Sequence, residues 1–158
     1  MATTQINAAS AEQTIRRHML AALGAGLMPL PWLDAAALTG LQLNLIRRLA
    51  EIHGAEFSTQ RGKAAIAGLS GGGLSAYLSV GLAGLAKSLP GPGWVAGAGS
   101  VALLGAASTY AVDKVFVQHF EMGGTLLAFD PEKTRAYYAQ QYAQGKDEVR
   151  KNFAGFKP

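Results

Sequence analysis

Apolar residues recur at every fourth position from Ile15 through Met19 and Leu23 to Leu27, so the first strongly patterned stretch is a helix. Ser10 with Gln13 three residues on has the form of a capping box and places its start, which leaves residues 1–9 as a disordered N-terminus. Pro29 and Pro31 disfavour helical geometry at the residues before them and end this helix at Met28. Asp34 then caps a second helix, on which Leu38, Leu41, Leu45, Leu49 and Ile52 form one apolar stripe, with Gln42, Arg47, Arg48 and Glu51 elsewhere. Gly54 is its expected C′ residue. Residues 10–58 thus read as a pair of amphipathic helices joined by a turn built on Pro29, Pro31 and Asp34. The prolines and Asp34 divide the apolar stretch 19–46 into pieces of 10 and 12 residues, each short of the roughly 20 that a bilayer crossing takes, so the pair is expected at the interface or re-entering from one side. A proline-kinked full span is the competing reading.

Farther on the pattern changes. Residues 64–86 and 88–112 carry no charge, with Lys87 between them and the loop 88–93 holding Pro90, Gly91, Pro92 and Gly93. Runs of 23 and 25 uncharged residues predict a transmembrane helical hairpin over 64–122. Ala64, Gly68, Gly72 and Ala76 recur every fourth position and reach Gly84 two steps later, while Gly97 and Gly105 lie eight apart. Such small-residue stripes let helices approach closely in lipid, either between copies or within the hairpin itself. Trp32, Trp94, Arg47 and Arg48 are placed as interfacial anchors, and the basic residues flanking the runs put both termini in the cytoplasm.

The last helical segment is expected to continue out of the membrane until Gly123 and Gly124 end it. Asp130 as N-cap, Pro131 at the first position and Glu132 in the first turn then open a charged cytoplasmic helix within 125–158, which Gly145 would divide. Lys146, Arg150, Lys151 and Lys157 suit anionic lipid or an acidic partner surface.

Composition narrows the function more than it names it. Mean hydropathy is only +0.16, so the apolar residues are concentrated in blocks within a chain of 158 residues. Arg16 and Arg17 before an apolar stretch look like the start of a targeting signal, but the prolines interrupt that stretch and the segment is expected to stay in the mature protein. A net charge of +4 comes without a compact Lys/Arg cluster interleaved with aromatics, so nucleic acid is not the expected partner. The absence of cysteine excludes thiolate chemistry and disulfides. His18, His53 and His119 fall on different helices, and the i,i+2 spacing of His119 and Glu121 points them to different faces. Gly71, Gly72 and Gly73 are not followed by the Gly-Lys-Ser/Thr of a phosphate loop, and no carboxylate pair sits in a recognisable spacing. No catalytic, cofactor or metal residue is therefore assigned. Asp113, beside Lys114 at the expected membrane boundary, is expected to be solvated. Ser70, Ser75, Ser79, Ser100, Ser108, Thr109 and Tyr77 are polar residues within the runs, enough to permit an oligomeric pore without arguing for one.

Pro29-x-Pro31-x-x-Asp34 between two helices, Ile52-His53-Gly54, and then a glycine-rich apolar hairpin together resemble the bacterial membrane family labelled domain of unknown function 697, which includes YcjF-like proteins. The run 114–127 and Phe129-Asp130-Pro131-Glu132-Lys133 are similar to stand-alone members. The resemblance implies a bacterial inner-membrane protein with no settled activity, and a GTPase as a possible partner, since this chain has no GTPase motif of its own. The expected molecule is all-α and non-enzymatic; it self-associates through its hairpin and presents cytoplasmic helices to anionic lipid or a protein. The alternatives are an oligomeric pore or transport component and a soluble helical assembly with the hairpin as its buried core.

Overall fold

The computed structural model describes residues 2–26, 31–69 and 92–152, with side chains at 12–24, 36–69 and 102–151. These residues form α1 (Ala2–Gly26), α2 (Pro31–His53), α3 (Thr59–Leu69), α4 (Pro92–Glu121) and α5 (Pro131–Asn152), and no strand occurs among them. The all-α expectation holds for them.

Local chemistry sets most of the helix ends. Gly54 (φ 68°) lets α2 close with Gly54 N–H donating to Glu51 O at 3.3 Å and Ala55 N–H to Ala50 O at 2.8 Å, the paired bonds of a Schellman motif. Gly123 (φ 75°) repeats this for α4, with Gly123 N–H on Phe120 O and Gly124 N–H on His119 O, both at 2.9 Å. Asp130 Oδ1 accepts from the backbone N–H of Glu132 at 3.0 Å and of Lys133 at 3.4 Å, capping α5 with Pro131 in its first position. Two starts differ from expectation. α1 begins at Ala2 because no glycine or proline precedes Gly24 to stop it, so residues 2–9 are helical and Ser10 lies inside the helix. α2 begins at Pro31, whose fixed φ and missing N–H suit a first helical position, and Asp34 is its fourth residue. The remainder of the proposed turn, residues 27–30 with Pro29, lies outside the described residues.

α4 is the central helix: Ala102, Ala106, Thr109, Asp113 and Phe116 are buried on one face and Ala107, Ala111 and Val115 on the opposite one, the pattern of a helix covered all round. Leu38 meets Gly105 and Gln42 meets Ser108, so α2 runs parallel to α4. Ile15, Met19 and Leu23 of α1 pack with Ala102 and Ala106 at one end. Leu45, Ile46 and Leu49 of α2 and Ala65, Ile66 and Leu69 of α3 pack with Val112, Val115 and Phe116 at the other. α5 returns antiparallel along α4: Phe129 stacks on Phe116 with ring centroids 4.7 Å apart, and Val149 reaches the cluster of Ala102 and Ala106. α5 therefore buries Tyr138, Gln141 and Val149 instead of standing free as a partner-facing helix. It also passes Gly145 without a break, because that glycine sits where a Cβ would lie 2.9 Å from Ala107 O and 3.1 Å from its Cα.

This packing counts against the transmembrane hairpin expected over 64–122. Residues 102–112 lie beside α5, where Asp147–Arg150 (3.3 Å) and Glu148–Lys151 (3.5 Å) are ion-paired, and beside α1, where Arg16 and Arg17 are exposed. A bilayer cannot surround that stretch without taking those charges to membrane depth. At the other run, Ala65, Ile66 and Leu69 belong to the bundle core. Among the described residues no helix is long and apolar enough to cross a membrane.

Candidate functional site

A line of polar side chains crosses the bundle through α4. Gln42, 3% exposed, donates from Nε2 to Ser108 Oγ at 3.0 Å, and Ser108 Oγ lies 3.0 Å from the Tyr138 hydroxyl. Thr109, one residue on, donates to its own helix at Gly105 O, 2.9 Å away. Ser108 and Thr109, read in the sequence as available to a pore, are engaged within one chain; Ser70, Ser75, Ser79 and Tyr77 lie outside the described residues, and the side chain of Ser100 is not described. Gln42 was expected off the buried face of α2 and is instead in the core, because Ser108 supplies its partner.

Asp113 departs furthest from expectation. It is fully buried, and neither carboxylate oxygen has a hydrogen-bond partner. Burial raises its pKa well above the ordinary carboxyl value, and the adjacent Lys114 charge opposes this only in part. The Lys114 ammonium sits 5.4 Å above the Tyr110 ring. The Tyr110 hydroxyl is itself pushed up by burial and by the negative charges of Glu148 and Asp113. Farther along, burial raises Tyr142 to about 12. In sequence Asp113-Lys114 looks like a solvated boundary; α4 carries Asp113 inward because its helical neighbours Thr109 and Phe116 are both buried.

The small-residue positions serve several purposes. A Cβ on Gly68 would lie 2.6 Å from Pro131 Cβ and Cγ, and the Gly68 carbonyl accepts from Arg135 Nη2 at 3.2 Å, so this glycine seats the start of α5 against α3. Gly105 makes room for Leu38 at ordinary contact distance, 3.5 Å. Ala64 is exposed. Gly72, Ala76 and Gly84 lie outside the described residues. Gly97 and Trp94 fall within α4, and Trp32 within α2, at positions whose side chains are not described. Gly62 is a close approach that the stripe did not include: a Cβ there would lie 2.8 Å from Leu43 Cδ2.

Each histidine bonds a backbone carbonyl: His18 Nδ1 to Thr14 O and His53 Nδ1 to Leu49 O, both at 2.8 Å, and His119 Nε2 to Thr125 O at 2.9 Å. His119 also sets its ring edge-on to Phe129 at 5.1 Å, which pins the loop between α4 and α5. Among the described residues no group of three or more His, Cys, Asp or Glu could hold a metal ion.

On the outer side of α1 and α2 lies a cleft of about 730 Å³ lined by Arg17 and His18 from α1 and Asn44, Arg48 and Glu51 from α2. Glu51 is held by Arg47 Nε at 3.0 Å and Arg48 Nη1 at 3.2 Å, and the Arg47 hydrogen bond leads in keeping its carboxyl below the ordinary value. Arg47 and Arg48, expected as membrane anchors, are exposed and paired within their own helix.

No family model matches the chain, and no solved structure matches it. Over 138 residues it is 40% identical to magnetosome membrane protein 22 of Magnetospirillum gryphiswaldense, across 86% of this chain and 70% of that protein. At that identity and coverage, the chain belongs to the family of magnetosome membrane protein 22.

Proposed function

We propose that this is a non-enzymatic, membrane-associated protein, a helical bundle attached through the uncharged residues that follow α3 and open α4. The observation that carries this reading is the division of the uncharged sequence. Its outer ends, 65–69 and 102–112, supply bundle core, and between them the sequence runs uncharged through 70–86 and 88–101, broken only by Lys87. These arms of 17 and 14 residues would reach about 26 Å and about 21 Å as helices, short of a hydrocarbon core about 30 Å thick. The hairpin then enters the bilayer from the side of the bundle and returns, with both termini on that side. The name of the relative suggests the magnetosome membrane as the membrane concerned.

Self-association through Gly72, Gly84 and Gly97 extends the same reading, whereas Gly68 is occupied by Pro131 within the chain. A GTPase partner rests on the resemblance to the domain of unknown function 697 family. The pore alternative loses Ser108 and Thr109 to bundle bonds.

Extraction of isolated membranes tests the attachment. The protein should stay with carbonate-washed membranes, and Leu82→Arg should release it, since an arginine at the centre of an inserted helix costs about 2.5–3.5 kcal/mol. Recovery of the wild type in the soluble fraction would overturn the proposal. For assembly, Gly72→Leu with Gly97→Leu should shrink the detergent-solubilised particle; an unaltered size removes the oligomer.

A further inference from the structure

The cleft between α1 and α2 holds more positive charge than its own chemistry uses. Arg17 lines it and has no ion pair or hydrogen bond among the described residues. Arg48 faces it from α2, and its carboxylate partner Glu51 is held at the same time by Arg47 at 3.0 Å. An incoming anion can therefore take the Arg48 guanidinium and leave Glu51 neutralised by Arg47. His18 commits Nδ1–H to the Thr14 carbonyl, which leaves Nε2 as the ring atom without that bond. Leu41 and Ile52 give the same cleft an apolar lining.

Two arginines from different helices line the cleft, and a guanidinium can offer paired N–H donors at the spacing of oxyanion oxygens. Inorganic phosphate or a phosphate ester matches this arrangement: its tetrahedral oxygens take donors from several sides, and its organic substituent can lie on Leu41 and Ile52. The geometry points to the α1–α2 cleft as a binding site for a phosphate group, with Arg17 and Arg48 as its two anchors. The phosphate comes either from an anionic lipid headgroup or from a soluble phosphate compound. The site does not depend on how the hairpin meets the membrane.

The test uses the full chain in a neutral detergent. Inorganic phosphate and glycerol 3-phosphate are titrated by calorimetry, and flotation is measured on phosphatidylcholine vesicles with and without one fifth phosphatidylglycerol. Arg17→Gln should weaken binding roughly tenfold or more, the order expected for loss of a charge-assisted hydrogen bond. Arg16→Gln is the control, because Arg16 is exposed beside it and does not line the cleft. Soluble phosphate binding that Arg17→Gln and Arg48→Gln weaken and Arg16→Gln keeps supports the site with a soluble ligand. The same ranking seen only with phosphatidylglycerol vesicles supports it with a lipid headgroup. Equal behaviour of all three variants and the wild type, or no binding in any arm, overturns it. Failure to float with any vesicle while soluble phosphate still binds would count against the membrane proposal and leave this one standing.

Discussion

Asp113 is a carboxyl group in a place where its ionised form has no partner. Its folded-state pKa lies above the unfolded value of 3.8, so the folded protein holds the proton to higher pH than the unfolded chain does. Its contribution is therefore fully present below about pH 3.8 and is lost as pH rises through the raised value. Asp113→Asn keeps the shape and removes the ionisation. At pH 8 it should raise stability by about 1 kcal/mol or more, seen as a rise of about 2–4 °C in Tm, with the gap to wild type narrowing toward pH 4. An Asn variant that melts below wild type at both ends of that range would refute this account. The burial was not legible in sequence because the adjacent Lys114 suggests solvent. What covers Asp113 depends on distant helices. Gly54, Gly123, Asp130 and Pro131 were legible, since each acts on backbone within a few residues of itself.

Among the elements, α5 separates local signal from long-range packing. Its start was readable residue by residue, yet Gly145 looked like an interruption because glycine is a poor interior helix residue. The reason for it lies on another helix, in the backbone of Ala107 and the ring edge of Tyr110, each 2.9–3.1 Å from where a Cβ would stand. Gly145→Ala improves intrinsic helix propensity by up to about 1 kcal/mol but forces α5 away from α4. The packing loss should win, lowering stability by roughly 1–3 kcal/mol in urea unfolding; a more stable variant would show that the contact is soft. Replacing Asp130 with Ala has a separate and purely local effect. It removes the acceptor for the Glu132 and Lys133 amides and should cost about 1 kcal/mol, which chemical unfolding at neutral pH would reveal. The α4 length was also only half legible: an uncharged run reads the same whether protein or lipid surrounds it.

For the whole molecule, the division between bundle and uncharged segment predicts that attachment and folding fail separately. Leu82→Arg should abolish membrane recovery while leaving the helical circular dichroism signal within error of wild type; a joint loss would mean that the segment is structurally part of the bundle. The line Gln42–Ser108–Tyr138 gives the bundle a different kind of constraint. One serine oxygen is shared by an amide from α2 and a phenol from α5, so the three positions form a single heritable trait. A lineage that exchanges Ser108 for alanine strands the buried Gln42 amide and takes one hydrogen bond from Tyr138, and its descendants should show an apolar replacement at 42 together with it. Sequences of the family can be read for that joint substitution, and a set in which the three positions drift independently would show that the shared oxygen carries no selective weight.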